Sequence, residues 1–233
     1  MKVRVGTSGY SYKEWVGSFY PPKMPANQML RHYGERFGTV EINNTFYRMP
    51  TTTMLEKWTG EVPPDFRFVL KAPKRITHER KLQQVDDVVR FLIDASTVMG
   101  EKRGPFLFQL PPFFRKNATV LREFLEKLGP VRAAFEFRHE TWFDEDVYEL
   151  LRDHGATLCL ADTEDGEPPL VATAGWGYLR LRRPDYGDAE LALWARRLKE
   201  QPWEEVFVFF KHEDEGKGPQ LAARFIELGA AAA

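Results

Sequence analysis

The segment Ala133–Arg138 reads AAFEFR and alternates apolar with charged side chains. Phe135 and Phe137 fall on one face of an extended chain, whereas Glu136 and Arg138 fall on the other. Successive side chains of a β-strand point to opposite sides, so a period of two indicates a strand with two unlike faces. We therefore predict a strand here, and the same pattern can be followed through the rest of the chain.

Short β-branched or aromatic runs recur eight times along the 233 residues, mostly separated by stretches with helical spacing of apolar residues. The predicted strands are Val3–Gly6, Val40–Asn43, Phe66–Ala72, Pro105–Leu110, Ala133–Phe137, Thr157–Ala161, Gly177–Arg182 and Val206–Lys211. The predicted helices are Asn27–Phe37, Thr52–Trp58, Gln83–Met99, Ala118–Leu128, Asp144–Asp153, Ala189–Lys199 and Pro219–Leu228. Each unit is about 29 residues long, close to one strand plus one crossover helix.

This repeat predicts an α/β fold, a (β/α)8 TIM-type barrel of near-minimal length that forms a single domain over residues 1–233. After the sixth strand the sequence has only the loop-like Thr163–Pro169, so we expect an irregular connection there. An open doubly wound sheet is the alternative fold. The absence of a glycine-rich phosphate-binding motif after any predicted strand argues against that alternative.

The composition is balanced, with 33 Lys and Arg against 34 Asp and Glu. A net charge of −1 gives no whole-molecule attraction for nucleic acid or anionic lipid. No window approaches the roughly 20 apolar residues of a membrane span, and the first ten residues lack the apolar core of a signal peptide. We expect a cytoplasmic protein without a membrane partner, in which the single Cys159 is a buried strand residue.

Functional groups of such a barrel are expected at the carboxyl ends of its strands, and strand parity identifies the side chains that point inward. The inward polar set predicted in this way is Glu41, Asn43, Lys71, Gln109, Glu136, Arg138, Arg180, Arg182 and Lys211. Five cations face two carboxylates, and this excess favours a ligand that carries phosphate or carboxylate. The alternative is an ion-pair network, for instance between Arg4 and Glu41, that fills the interior and binds nothing.

We predict Glu41 and Glu136 as the acid and base of an enzyme, with Lys71 able to polarise a carbonyl or to lower the pKa of a carboxylate. The predicted ligand contacts from parity are Asn43, Gln109, Arg138, Arg180, Arg182 and Lys211. Aromatic residues with a polar atom follow the strands, and we add Tyr10, Trp15 and Tyr47 as candidates for stacking against a sugar or base.

The sequence favours a divalent metal ion less than it favours an anionic ligand. Glu41, Glu136, Asp162, His139 and His212 are of the right types for a carboxylate–imidazole site. The sequence has no closely spaced pair of ligands, and crowded lysines and arginines oppose a cation. We therefore predict no metal ligands and leave the cofactor open.

Five ordered segments resemble the YecE-like family, a domain of unknown function. They are Gly6–Pro21, Val40–Pro50, Phe68–His78, Leu107–Phe114 and Phe135–Trp142, the second of which reads VEINNTFYRMP. The resemblance implies a TIM-type barrel, related to sugar isomerases by fold alone, and adds Ser8 and His78 to the candidate ligand contacts. The last third departs from the family, with Arg182 and Lys211 at positions that make the mouth more basic.

Together these features predict an enzyme of unassigned reaction that binds a small phosphorylated or acidic, sugar-like ligand at the carboxyl-end mouth of the barrel. One alternative is a protein that binds or processes nucleic acid or nucleotides. Another is a metal-dependent isomerase or phosphodiesterase. The oligomeric state does not follow from the sequence.

Overall fold

The structure, a computed structural model, describes residues 1–231, over which eight strands alternate with seven α-helices. The strands are β1 (Lys2–Thr7), β2 (Thr39–Ile42), β3 (Arg67–Lys71), β4 (Arg103–Gln109), β5 (Ala133–Glu136), β6 (Thr157–Asp162), β7 (Trp176–Leu181) and β8 (Glu205–Phe210). The helices are α1 (Met29–Gly34), α2 (Thr52–Gly60), α3 (Asp86–Ser96), α4 (Ala118–Leu128), α5 (Glu145–Asp153), α6 (Asp188–Lys199) and α7 (Lys217–Ala231). None of these helices is both long enough and apolar enough to cross a bilayer.

All eight strands are parallel, and each pairs with its neighbour in sequence from β2 to β8. β8 then pairs with β1 along six positions, from Lys2 with Glu205 to Thr7 with Phe210. The predicted (β/α)8 TIM-type barrel is therefore confirmed. Each crossover returns the chain to the same end of the sheet, which makes the strands parallel, and the pairing of β8 with β1 then curls the sheet into a barrel.

The connection between β6 and β7 contains no helix, as predicted. Its apolar residues Leu170, Val171 and Ala172 pack against the outer core. The Thr173 hydroxyl donates to the Ala156 carbonyl at 2.9 Å and accepts from the Leu158 N–H at 2.9 Å. This segment therefore covers the barrel wall in place of a helix.

Two apolar clusters flank the sheet, and their members alternate along the strands. On β3, Phe68 and Leu70 belong to the larger cluster shared with the helices, whereas Val69 belongs to a smaller one. The smaller cluster draws residues from β3 to β8 and so fills the barrel: Val69, Leu107, Ala134, Cys159, Trp176, Tyr178, Phe207 and Phe209. Cys159 is buried there, as expected. The period of two therefore identified both faces correctly.

Two local features differ from the predictions. α3 begins at Asp86 rather than Gln83, because Leu82 and Gln84 have positive φ angles that interrupt a helix. Arg4 does not pair with Glu41; its guanidinium binds Glu205 and Asp65 at the amino end of the barrel. The buried charges at the carboxyl end therefore have other partners.

The barrel closes between β1 and β2 through a narrow seam. A backbone hydrogen bond crosses this seam: the Gly9 N–H donates to the Glu41 carbonyl at 2.8 Å. Lower in the seam, the Tyr33 hydroxyl accepts from the Thr7 N–H at 2.8 Å and donates to the Thr39 carbonyl at 3.0 Å. One side-chain hydroxyl thus replaces the missing backbone ladder between the two strands.

We predict that Tyr33→Phe lowers the free energy of unfolding by about 1–3 kcal/mol, because it leaves a buried N–H and a buried carbonyl without partners. Urea denaturation measures this loss. Tyr148→Phe is the control, since the Tyr148 hydroxyl makes no hydrogen bond within residues 1–231 and its ring is also buried. Equal stability of the two variants would show that the seam does not depend on the hydroxyl.

Candidate functional site

Arg180 lies at the centre of the carboxyl end of the barrel, between two buried carboxylates. β7 points it inward, opposite β2 with Glu41 and near β5 with Glu136. Its Nη2 donates to Glu41 Oε1 at 2.8 Å, and its Nη1 donates to Glu136 Oε2. All three side chains are essentially inaccessible to water. Buried charges are tolerated only when paired and hydrogen-bonded, so this cluster holds three strands in a fixed arrangement.

Glu41 has no free oxygen for proton transfer. Besides Arg180, its Oε1 accepts from the Ser8 hydroxyl at 2.8 Å, and its Oε2 accepts from the Tyr178 hydroxyl at 2.6 Å. Burial, then the Glu41 charge, raises the pKa of Tyr178 well above its ordinary value, so that hydroxyl keeps its proton. Glu41 thus accepts from three donors, two on β7 and one directly after β1.

Glu136 is held by three guanidinium groups. Arg138 pairs with its Oε1, and Arg182 Nη1 lies 3.8 Å from the same oxygen. Burial raises the pKa of Glu136, but the charges of Arg180, Arg138 and Arg182 outweigh burial and hold it at about 2. A carboxylate with so low a pKa is a poor proton carrier near neutral pH.

A cleft of about 260 Å³ opens directly above this cluster. It is lined by Tyr12, Asn43, Asn44, Phe46, Tyr47, Lys71, Gln109, Arg180, Arg182, Lys211 and Glu213. Four of these residues are cationic and only Glu213 is anionic. Neither Glu41 nor Glu136 reaches the cleft wall, so the cleft presents the positive side of the cluster to solvent.

Several buried N–H groups at this cleft have no hydrogen-bond partner in the described residues. They are Asn43 Nδ2, Arg180 Nε, Arg182 Nε and Arg182 Nη1. Buried polar groups are almost always hydrogen-bonded, because an unmade bond costs about 1–3 kcal/mol. All four groups are donors, so together they are suited to a ligand or solvent that supplies acceptors.

Lys71 ends β3 on the opposite side of the cleft from β7 and β8. Its Nζ donates to Gln109 Oε1 at 2.7 Å and lies 4.3 Å from the centre of the Phe46 ring. No carboxylate of residues 1–231 lies within ion-pair distance of it. Burial, then the charge of Arg180, lowers the pKa of Lys71 to about 8.

The cleft brings together Asn43, Tyr47, Lys71, Gln109, Arg180, Arg182 and Lys211 of the predicted site, while Arg138 lies beneath it on Glu136. Four predicted contacts lie elsewhere. Ser8 is buried against Glu41, and His78 packs on Phe46 and bonds to the Thr77 hydroxyl. Trp15 is buried and donates to the Glu213 carbonyl, while Tyr10 packs against the outer core.

Four cleft residues are absent from the predicted ligand contacts: Tyr12, Asn44, Phe46 and Glu213. All four lie in loops after strands, where no period identifies the direction of a side chain. Tyr12 reaches the cleft because its hydroxyl donates to the Ser8 carbonyl at 2.8 Å, which folds the loop after β1 over the barrel.

The residues considered for a metal are dispersed. Asp162 Oδ2 accepts from Arg183, Tyr186 and Trp194, which places it outside the barrel against the loop before α6. His212 bonds to the Arg183 carbonyl, and His139 accepts from the Thr141 N–H. Within residues 1–231 no three His, Cys, Asp or Glu side chains form a group that could hold a metal ion.

Larger grooves exist on the outer surface, including one of about 420 Å³ lined by residues of α3 and α4. They lie between helices, away from the strand ends where barrel enzymes bind their substrates. Only the mouth cleft, among the cavities described, is lined by charged residues from strands on opposite sides of the barrel.

A family model described as "Protein of unknown function DUF72" matches residues 4–233. This chain belongs to the DUF72 family. The UPF0759 protein YunF of Bacillus subtilis is 26% identical, over 97% of this chain and 94% of its own length. The UPF0759 protein YecE of Escherichia coli K12 is 27% identical, over 66% of this chain and 54% of its own length. The predicted YecE-like relationship is therefore confirmed.

Solved structures of DUF72 proteins share the fold of this DUF72 chain. A crystal structure of a family member from Thermotoga maritima is 28% identical, with a TM-score of 0.86 over 98% of this chain and 99% of that one. A member from Enterococcus faecalis, at 18% identity, has a TM-score of 0.82 over 98% and 95% of the two chains and shows the fold alone.

We predict that Arg180→Met lowers the free energy of unfolding of this DUF72 protein by about 3–5 kcal/mol, because it leaves Glu41 and Glu136 buried without a shared cation. Urea denaturation at pH 7 measures the change. Arg197→Met removes a half-exposed pair with Glu167 and is the control, with an expected loss of about 0–1 kcal/mol. A loss for Arg180→Met no larger than the control would contradict the central role of Arg180.

The low pKa of Glu136 also predicts a pH dependence of stability. Since its pKa falls from 4.5 when exposed to about 2 in the fold, its stabilising contribution is complete above about pH 4.5. That contribution is lost as the pH falls toward 2. In this window the wild-type free energy of unfolding is expected to rise with pH more steeply than that of Glu136→Gln, by up to about 1.4 kcal/mol per pH unit.

Chemical denaturation at a series of pH values between 2 and 5 measures the two slopes. Glu149→Gln changes an exposed carboxylate that has no ion pair within residues 1–231, and it is the control expected to keep the wild-type slope. If Glu136→Gln also keeps the wild-type slope, the ion cluster does not lower the pKa of Glu136.

Proposed function

We propose that this DUF72 protein is an enzyme that binds a small molecule with a phosphate or carboxylate group in the cleft at the mouth of the barrel. The observation that carries the proposal is the set of buried N–H donors without partners on Asn43, Arg180 and Arg182. Phosphate and carboxylate oxygens are acceptors only, and guanidinium groups bind both with charge-assisted hydrogen bonds.

The side of the cleft formed by β7 and β8 is the best place for the anionic group. Arg182 and Lys211 follow adjacent strands, and the Lys211 N–H donates to the Leu181 carbonyl at 3.1 Å, which fixes the two residues at the same level. Burial, then Arg182 and Arg180, lowers the pKa of Lys211. This mutual repulsion of cations would be relieved by a bound anion.

The cleft volume favours a small ligand over a polymer. A space of about 260 Å³ accommodates roughly the size of a sugar phosphate, below the usual 300–1,000 Å³ of pockets for drug-sized ligands. The rings of Tyr12, Phe46 and Tyr47 offer apolar surface to the body of such a molecule. A nucleotide base could stack on the same rings, and the experiment below separates that alternative.

The geometry of the cluster suggests roles for the acidic groups within this proposal. Glu41 and Glu136 are positioning residues that hold Arg180, since both oxygens of each already accept hydrogen bonds and neither residue lines the cleft. Lys71, with one neutral acceptor and a lowered pKa, is the side chain in the cleft best able to exchange a proton near neutral pH.

The proposal predicts that ribose 5-phosphate and inorganic phosphate stabilise the protein, whereas ribose does not. A ligand at about 100 times its dissociation constant adds about 2.7 kcal/mol, which corresponds to a rise of roughly 5–10 °C in Tm for a chain of this size. Arg182→Met is expected to weaken phosphate binding roughly 10- to 100-fold, because a hydrogen bond to a charged group contributes about 1.5–3 kcal/mol.

Arg183→Met is the matched control. Arg183 is the next residue in the chain but pairs with Asp162 and Glu190 away from the cleft, so its loss is expected to leave phosphate affinity unchanged.

Calorimetric titrations at several salt concentrations, with and without a chelator, complete the test. If neither phosphate compound binds, the proposal is overturned in favour of a charge network that binds no ligand. A steep salt dependence with oligonucleotides would favour nucleic acid, and a need for divalent metal would favour the metal-dependent alternative.

A further inference from the structure

The Lys71 amine differs from the other cations of the cleft in its surroundings. Arg180 and Arg182 approach carboxylates, whereas within residues 1–231 the only polar side-chain partner of Lys71 is the amide oxygen of Gln109. The Phe46 ring covers a second side of the amine at 4.3 Å. A neutral acceptor and an aromatic face orient the amine without neutralising its charge.

These surroundings also increase the fraction of Lys71 that is unprotonated near neutral pH. Burial withdraws water from the ammonium group, and the nearby charges of Arg180 and Lys211 repel it. The carboxylates that would stabilise the ammonium, Glu41 and Glu136, are engaged with Arg180. With a pKa of about 8, roughly one Lys71 in ten is a free amine at pH 7, compared with about one in several thousand for an ordinary lysine.

Lys211, the other lysine of the cleft, lacks this orientation. Its ammonium makes no side-chain hydrogen bond or ion pair within residues 1–231, and it stands beside Arg182 on the side assigned to the anion. Lys71 lies across the cleft at the end of β3. The two sides of the cleft therefore offer different chemistry to the two ends of one small molecule.

We propose that Lys71 forms a covalent imine with an aldehyde or ketone group of a ligand whose phosphate or carboxylate binds at Arg182 and Lys211. This inference rests on the proposed anion-binding function and names the substrate class as an anionic carbonyl compound. An amine desolvated and placed next to other cations is the usual way in which proteins make a lysine nucleophilic at neutral pH.

The step balances without any further reagent. The free amine of Lys71 attacks the carbonyl carbon, so that a C–N bond forms and the C=O π bond opens. One proton moves from nitrogen to oxygen through solvent and gives a carbinolamine. The hydroxyl then takes up a proton from solvent and leaves as water, while the nitrogen lone pair forms the C=N bond to the former carbonyl carbon. The resulting iminium returns its N–H proton to solvent, so no net proton is consumed. One water is released for each ligand bound.

Reductive trapping with cyanoborohydride tests the amine itself. Formaldehyde is small enough to enter the cleft, and it methylates lysines through the same imine. At pH 7, Lys71 is expected to react about tenfold or more faster than the eleven lysines outside the cleft. Trypsin does not cleave after a modified lysine, so the product is identified by mass spectrometry as the intact peptide of residues 68–74. Equal labelling of Lys71 and the surface lysines would overturn the inference.

Dihydroxyacetone phosphate, dihydroxyacetone and pyruvate test the substrate class. Stable reduced adducts are expected on Lys71 with the two anionic compounds, at least tenfold fewer with uncharged dihydroxyacetone, and fewer when inorganic phosphate competes. Lys71→Arg is expected to lose the adducts but still bind inorganic phosphate. Lys74→Arg, which changes an exposed lysine paired with Glu79 outside the cleft, is expected to keep the adduct on Lys71.

The two proposals fail in different ways. Phosphate binding without a Lys71 adduct would overturn the imine and leave the anion site standing. Equal adduct yields with the charged and uncharged compounds, unaffected by added inorganic phosphate, would overturn the anionic substrate class. Absence of phosphate binding in the wild-type protein would overturn the proposed function itself.

Discussion

The shared use of Arg180 by two buried carboxylates governs the carboxyl end of this barrel. Three charges without access to water are stable only while each satisfies the others, so β2, β5 and β7 are tied together by one guanidinium group. Ser8 and Tyr178 also donate to Glu41, Arg138 pairs with Glu136, and the charge of Arg182 lies 3.8 Å from the same carboxylate. The two carboxylates are therefore neutralised within the cluster, and the surface that the cluster turns toward the cleft is positively charged.

That asymmetry sets the character of the cleft. Lys71 and Lys211 face it without carboxylate partners among the described residues, and Glu213 is the only acidic side chain on its wall. A low local dielectric strengthens both repulsion between the cations and attraction to an incoming anion. Burial lowers the pKa of Lys71, and the positive field that would bind the anion lowers it further, so recognition and reactivity share an electrostatic contribution.

Much of this arrangement was predictable from the sequence because strand parity is a local property. The alternation in AAFEFR places Glu136 inside the barrel whatever its neighbours do, and Arg180 and Lys71 follow from the same rule. Parity does not give height along the barrel axis. Arg4 and Ser8 share a face, yet they lie four residues or about 13 Å apart, so only Ser8 meets Glu41. Loop residues have no period at all, and therefore Tyr12 could not be distinguished from Tyr10.

Electrostatics also determines how a ligand would lie in the cleft. An anionic group beside Lys71 would stabilise its ammonium form and raise its pKa, which would remove the nucleophile. The same group beside Arg182 and Lys211 is farther from the amine and relieves the repulsion between those two cations. We therefore expect the anion on the β7 and β8 side and the reacting carbonyl on the β3 side, with the rings of Phe46 and Tyr12 along the body of the molecule. Both dihydroxyacetone phosphate and pyruvate carry the two groups, but dihydroxyacetone phosphate, whose carbonyl carbon and phosphorus are three bonds apart, fits this division better, because Lys71 and Arg182 belong to strands on opposite sides of the barrel.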